Sequence, residues 1–328
     1  MQIIDKLRKK RKKSTFIKML EYAGTYLAIF ITRLVPLKAV KIISNFLGDL
    51  LYLLSKRRHN IAIKNLQNAF KEEKTGEEIR KIARYSCRSF FLTFLEIIKL
   101  RSLFKKPGSA STFKNLEELF HKAKKIHDDT GGCIFVTPHI GSWELLSHLI
   151  SAVGIPIAIV ARPIDNEYLE KLIYANRAAS GQVIIPKKNA LFALRENLRQ
   201  GKSVGMLPDQ STMKGLSINF FGHKATTTPI PAILAINYKR PIVVAACCRK
   251  SGDYQYEGFI CDPIWPGENS AREISEDISR VKSEKAEIFR LTEDMNQKME
   301  SIIRKYPEQY LWIHNRWKTY KGKREIFS

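Results

Sequence analysis

Residues 133–150 read CIFVTPHIGSWELLSHLI, and the parsing of this stretch decides the fold. Cys133 to Val136 is a short apolar run of strand type, and Pro138 stops it. Gly141 and Ser142 turn the chain, and Ser142 is a suitable N-cap for a helix from Trp143 to about Ala152. His139 therefore falls at the carboxyl end of a strand, where open α/β sheets bind their ligands. Glu144 comes next in the first helical turn, where the helix dipole favours a carboxylate. An imidazole backed by a carboxylate is the general-base half of a catalytic triad without a protein nucleophile. The attacking hydroxyl would then belong to a substrate. A histidine with a glutamate nearby is structural in most proteins, and it is the residues downstream of this pair that raise its standing.

Downstream, strands and helices alternate in the pattern of a βαβ domain. Ile155 to Ala161 reads as a strand, followed by Arg162, Pro163, Asp165 and Asn166, then a helix from about Glu167 to Ala179. Val183 to Ile185 is a strand, Ala190 to Gln200 a helix, and Ser203 to Leu207 a strand that ends in Pro208, Asp209 and Gln210. Three strands thus finish at His139, Arg162 and Asp209, and in a parallel sheet those ends share one edge. Residues 219–229, NFFGHKATTTP, suit a loop lining a pocket. Ile230 to Tyr238 reads as a helix, Ile242 to Cys248 as a strand, Tyr254 to Ile260 as its antiparallel partner, and Glu284 to Tyr306 as a helix. The end carries Tyr310, Trp312, Arg316 and Trp317, either a packed cap or an aromatic-cationic patch at lipid headgroups.

Upstream the sequence is helical and basic. Over 328 residues, 56 Lys+Arg against 32 Asp+Glu give a net charge of +24. Such a surface seeks anions: nucleic acid, anionic lipid, phosphorylated substrates or acidic proteins. Met1 to Lys13 is rich in Lys and Arg, and Phe16 to Val35 is apolar, with an uncharged core from Tyr22 to Thr32. That core is shorter than the roughly 20 residues a squarely spanning helix needs. A basic segment before an amphipathic helix fits an in-plane anchor on an anionic leaflet, with the positive flank on the cytoplasmic side. A soluble core helix behind a basic tail is the alternative. Val40 to Leu54 reads as a second helix packed on the first. Lys105 to Ser111 is a loop and Leu116 to His127 a helix. Thr75 and Glu78 form a capping-box signature before a long amphipathic helix bearing Ile79, Ile82, Phe90, Phe94 and Ile97. The five cysteines include no C-x-x-C pair, which argues for reduced thiols in a cytosolic compartment and against a zinc site. Cys247 and Cys248 should face opposite sides of their strand. The expected fold class is α/β, with a mostly parallel central sheet flanked by helices and an N-terminal helical membrane-associated region. Residues 1–36 would form the basic tail and anchor, 37–127 a helical region, and 128–328 the α/β core.

Five motifs occur in order: His139 to Glu144 (HIGSWE), Ala161 to Asn166 (ARPIDN), Pro208 to Gln210 (PDQ), Phe220 to Thr227 (FFGHKATT) and Tyr310 to Lys318 (YLWIHNRWK). Together they resemble the bacterial lipid A biosynthesis acyltransferases, the lauroyl/myristoyl late branch of the lysophospholipid acyltransferase superfamily. The resemblance covers nearly the whole chain. It implies transfer of a fatty acyl group from acyl-carrier protein, or from coenzyme A, to a hydroxyl of a membrane glycolipid, without a covalent enzyme intermediate or cofactor. It implies His139 as the base and Glu144 as the acid that orients it, with Arg162, Asn166, Asp209 and Gln210 on the substrate and no metal ligands. The implied partners are acyl-carrier protein, a lipid A precursor and an anionic phospholipid surface at the cytoplasmic face of the inner membrane. Ser142 stands where many relatives carry Asn. Candidate oxyanion donors are the backbone N–H groups from Gly141 to Trp143.

Other readings compete. The acceptor could be a phosphatidylinositol mannoside, another glycolipid or a lysophospholipid. A glycerolipid enzyme of the same superfamily usually carries Asp at the acid position and an E-G-T-R-like third block, unlike Glu144 and Pro208-Asp209-Gln210. A basic nucleic-acid-binding protein would use the charge, but no zinc spacing, RRM-type aromatic motif or helix-turn-helix is present, so no nucleic-acid partner is expected.

Overall fold

β1 (Ile134–Val136) is buried along its whole length because it lies in the middle of a sheet covered on both faces. The structure is a computed structural model that describes residues 14–103, 116–161, 164–178, 181–186, 190–250, 255–267, 278–318 and 324–325. The basic tail, the 105–111 loop and Arg162 lie outside these residues.

The main sheet has six strands in the order β3-β2-β4-β1-β7-β8: β2 (Ile157–Ala161), β3 (Val183–Pro186), β4 (Ser203–Met206), β7 (Ile242–Arg249) and β8 (Tyr256–Ile260) join β1. The first five in that order run parallel, and β8 alone is antiparallel, on β7. Sequence and structure agree on this architecture to within a residue or two per strand. Helices α5 (Glu117–Thr130), α6 (Trp143–Ala152), α7 (Glu167–Ala178), α8 (Ala190–Arg199), α9 (Ile230–Tyr238) and α10 (Ile278–Lys305) surround it. β7 shows why both faces are apolar. Ile242, Val244, Ala246 and Cys248 enter one buried cluster, and Val243, Ala245 and Cys247 enter the other. The two thiols therefore do face opposite sides, and all five cysteines are free.

Residues 219–229 are not a loop, as the sequence suggested. They belong to a hairpin of β5 (Lys214–Phe220) and β6 (His223–Thr227), paired from Leu216↔Thr227 to Phe220↔His223. Its turn is Phe221 and Gly222, both at positive φ (51° and 74°), the two-residue turn whose twist matches antiparallel strands. β9 (Arg324–Glu325) pairs on the other side of β5.

Four helices precede the sheet: α1 (Thr15–Leu34), α2 (Leu37–Leu54), α3 (Lys56–Phe70) and α4 (Gly76–Leu103). The capping box forms at the start of α4: Thr75 N–H donates to Glu78 Oε2 at 2.8 Å and Glu78 N–H to Thr75 Oγ1 at 3.3 Å. α2 packs chiefly on α4 and not, as expected, on α1. The reason is local. A Cβ on Gly48 would lie 2.4 Å from Arg88 Cα, so glycine lets the two backbones meet. Beside it Asp49 accepts from Arg84 Nε at 2.7 Å and Arg88 Nε at 2.6 Å. With α2 held on α4, Ile42, Phe46, Leu50, Leu53 and Leu54 stay exposed, as do Phe16, Leu20, Leu27, Phe30 and Leu34 on α1. No helix among the described residues is long and apolar enough to cross a membrane.

The C-terminal segment is a packed cap. Trp312 and Arg316 are buried, which removes them from any headgroup patch. Asn65 on α3 donates to the carbonyls of Trp312 and His314 at 2.7 and 2.6 Å. Arg316 donates to Thr226 O at 3.0 Å and Thr227 Oγ1 at 2.7 Å.

Candidate active site

The register of two central strands creates the site. β1 and β4 pair Val136 with Met206, and Thr137 N–H extends the ladder to Met206 O at 3.1 Å. Continuing both chains three residues past that pair brings His139 level with Asp209. Asp209 Oδ1 lies 2.7 Å from His139 Nδ1, and Oδ2 accepts the His139 backbone N–H at 2.9 Å. Asp209 is 2 % exposed. The buried Tyr310 hydroxyl also bonds to it. Burial alone would push the Asp209 carboxyl up. The adjoining His139 imidazole and its two hydrogen bonds, with Arg316 nearby, reverse this and hold the group below the usual carboxylate range. An ionised Asp209 accepts from Nδ1–H and so leaves the lone pair on Nε2. Gln210 Nε2 lies 3.3 Å from that nitrogen. The Trp143 ring stands edge-on at 5.5 Å between ring centroids.

Both ring nitrogens therefore have a partner, and neither of those partners is Glu144. The carboxylate hydrogen-bonded to the imidazole is Asp209, a residue that the sequence reading placed on the substrate. Helix geometry explains the exchange: Glu144 is half-buried on the first turn of α6, while Asp209 continues the strand adjacent to the one that delivers His139.

The turn between β1 and α6 is locked. Gly141 has φ +58°, and a Cβ there would stand 2.2 Å from Cys247 O, so only glycine fits. Gly141 N–H donates to Gln309 O at 3.2 Å, Ser142 N–H to Cys247 O at 2.7 Å, and Leu311 N–H to His139 O at 3.0 Å. Two of the three backbone groups expected to face an oxyanion are thus spent inside the protein. Ser142 occupies the N-cap position without capping. Its hydroxyl donates instead to Glu96 Oε2 at 2.8 Å.

Asn166 was expected on the substrate. It is 2 % exposed and its side chain is used internally. Oδ1 accepts from Tyr168 and Leu169 N–H at 3.0 and 3.4 Å, capping α7, while Nδ2 donates to Lys18 O at 2.8 Å and Glu21 Oε2 at 3.1 Å on α1. Arg162 is outside the described residues. Sequence reasoning missed Glu96, Arg249 and the Asp209 contact of Tyr310. A glutamate on the apolar face of α4, between Phe94 and Ile97, was the visible signal for the first.

The side chains hydrogen-bonded to or stacked on His139 (Asp209, Gln210 and Trp143) include no serine or cysteine. A histidine–carboxylate pair at the carboxyl edge of a parallel sheet has the groups needed to take a proton from a hydroxyl brought to that edge. Residues 9–319 match the family described as bacterial lipid A biosynthesis acyltransferase, and the chain belongs to that family. It is accordingly an O-acyltransferase of lipid A biosynthesis. Among similar proteins is a lipid A biosynthesis palmitoleoyltransferase of Escherichia coli (strain K12), 26% identical over 270 residues that cover 80% of each chain. A lipid A biosynthesis acyltransferase of Haemophilus influenzae is 22% identical over 320 residues, covering 94% of this chain and 92% of the relative.

Proposed function

We propose that the protein transfers a fatty acyl chain from an acyl-carrier-protein thioester to a hydroxyl of a lipid A precursor at the cytoplasmic face of the inner membrane. The observation that carries the chemistry is the 2.7 Å contact of His139 Nδ1 with Asp209, which leaves Nε2 as the proton acceptor. The acceptor O–H gives its proton to His139 Nε2 as the oxygen bonds to the thioester carbonyl carbon. The C–S bond then breaks, and the imidazolium returns the proton to the departing thiolate. The products are an ester and a free thiol. Asp209 keeps the imidazole in the required tautomer and stabilises its charged form. The Gln210 side-chain amide donates to Nε2 at 3.3 Å and gives up that lone pair when the acceptor hydroxyl arrives, which frees its N–H groups to assist the developing oxyanion. Arg162 and Glu144 are assigned to substrate binding.

A small apolar pocket lined by Val136, Trp143, Leu146, Ile159, Met206 and Leu207 lies against Trp143, whose ring stands edge-on to His139; its lining suits an acyl chain, but in this structure it is too small to hold one. The exposed apolar faces of α1 and α2 support attachment to one leaflet, with the basic tail on anionic headgroups. The net charge of +24 suits a phosphorylated acceptor and an acidic carrier. The test is one extract offered acyl-carrier-protein thioester with either a lipid A precursor or lysophosphatidate. Acylation of the lipid A precursor alone is expected; preference for lysophosphatidate overturns the assignment.

A further inference from the structure

Behind the β1–α6 turn lies a buried charge cluster that the proton transfer does not use. Glu96, on α4, is 2 % exposed. Its Oε2 accepts from Arg249 Nε at 2.9 Å and Arg249 Nη2 at 2.7 Å, as well as from the Ser142 hydroxyl. Its Oε1 accepts from the Tyr256 hydroxyl. Arg249, the last residue of β7, also donates to Ser89 Oγ at 3.1 Å and Thr93 Oγ1 at 2.9 Å. Thr93 Oγ1 in turn shares its one proton between Gly141 O at 2.8 Å and Ser89 O at 2.9 Å. Gln309 clamps the backbone of Arg249, with Oε1 accepting its N–H at 2.9 Å and Nε2 donating to its carbonyl at 2.8 Å, while its own carbonyl holds Gly141 N–H.

A buried ion pair is a poor device for stability, because removing two charges from water costs about as much as their attraction returns. What such a pair supplies is a defined geometry, provided every partner is satisfied. Here its bonds converge on Gly141 and Ser142, the two residues after His139-Ile140. The groups come from three elements: Thr93 and Glu96 from α4, Arg249 from β7, and Gln309 from the C-terminal segment.

We infer that Glu96 and Arg249, acting through Ser142 and Thr93, are positioning residues that fix the 139–143 turn, and so the pointing of His139 Nε2 at the acceptor hydroxyl. The assignment rests on the proposed role of His139, although its geometry stands apart from any substrate. A displacement of about 1 Å in a reacting group is enough to slow a reaction about a hundredfold. Loosening the turn therefore lowers kcat and leaves KM alone, because Thr93, Glu96 and Ser142 are buried beneath the turn.

The test uses the full-length protein in detergent or vesicles. Thr93→Val removes the hydroxyl link to Gly141, Ser142→Ala removes the link to Glu96, and Thr93→Ser keeps the first link. For each, kcat and KM are measured for transfer from acyl-carrier-protein thioester to a lipid A precursor, corrected for the folded fraction by thermal unfolding. The rate of His139 modification by diethyl pyrocarbonate is read separately by mass spectrometry. We expect kcat to fall at least about tenfold in Thr93→Val and Ser142→Ala with KM unchanged. His139 modification should change severalfold in both, and Thr93→Ser should restore both readouts. Lower melting temperatures with wild-type kcat per folded enzyme and unchanged His139 reactivity would make the cluster purely structural and overturn the inference. Where the wild-type enzyme itself transfers nothing, the functional reading fails, and the His139 modification rates still decide this one.

Discussion

At the scale of single residues, the site depends on which carboxylate serves the imidazole. The spacing of His139 and Glu144 made that pair readable in the sequence, because both lie on one strand-turn-helix. The pairing with Asp209 was not readable, since 70 residues separate it from His139 and only the β1–β4 register brings the two level. The carboxyl edge of the sheet could be inferred, but not which of its residues touch. This distinction is measurable. Asp209→Asn leaves a neutral amide against Nδ1, loses the preferred tautomer and is expected to lower kcat by about 10²- to 10⁴-fold. Glu144→Gln is expected to act through substrate binding, raising KM more than it lowers kcat. Steady-state kinetics of the two purified variants settles the assignment, and the reverse pattern returns the orienting role to Glu144.

At the scale of elements, periodicity carried most of the information. The capping box at Thr75 and the strand-helix alternation after residue 133 depend on near neighbours in the chain, so both were legible. The β5–β6 hairpin differs from the expected loop although its threonines favour strands, because Gly222 marks a turn without showing which residues pair across it. They are held by long-range packing: Phe220 and Phe221 are buried, and Phe221 sits 5.2 Å from Phe70 and 5.9 Å from Trp312 between ring centroids. The partner of α2 was misjudged for the same reason, because the Gly48–Arg88 approach is a tertiary contact. Its consequence is a second exposed apolar helix face beside that of α1. Replacing Phe16, Leu27 and Phe30 with glutamate is expected to move much of the protein from the membrane to the soluble fraction, and replacing Phe46, Leu50 and Leu53 should do likewise. Fractionation of cells expressing each variant checks this; an unchanged membrane share for the second set would confine attachment to α1.

At the scale of the whole molecule, the C-terminal segment joins the early helices to the catalytic edge. Arg58 on α3 donates to Ile313 O at 3.0 Å, and His314 Nε2 accepts from Ser211 N–H at 3.3 Å. Burial pushes His314 down from its ordinary 6.5 to about 4; Asp209 opposes the shift, and His139, Arg316 and Arg58 reinforce it. Between those two values the unfolded chain binds a proton that the folded chain does not. Stability is therefore expected to fall as pH drops from about 6.5 to about 4. Denaturant titrations across that range should show a shallower fall in His314→Gln; parallel curves would remove His314 as a cause.

Every assignment at the catalytic edge depends on the imidazole of His139 as the base that takes the acceptor proton. The most direct measurement is kcat of the His139→Ala enzyme, purified in vesicles and assayed with acyl-carrier-protein thioester and a lipid A precursor. A loss of at least about 10²-fold with vesicle binding unchanged is the predicted result. Turnover within a few-fold of wild type would contradict it.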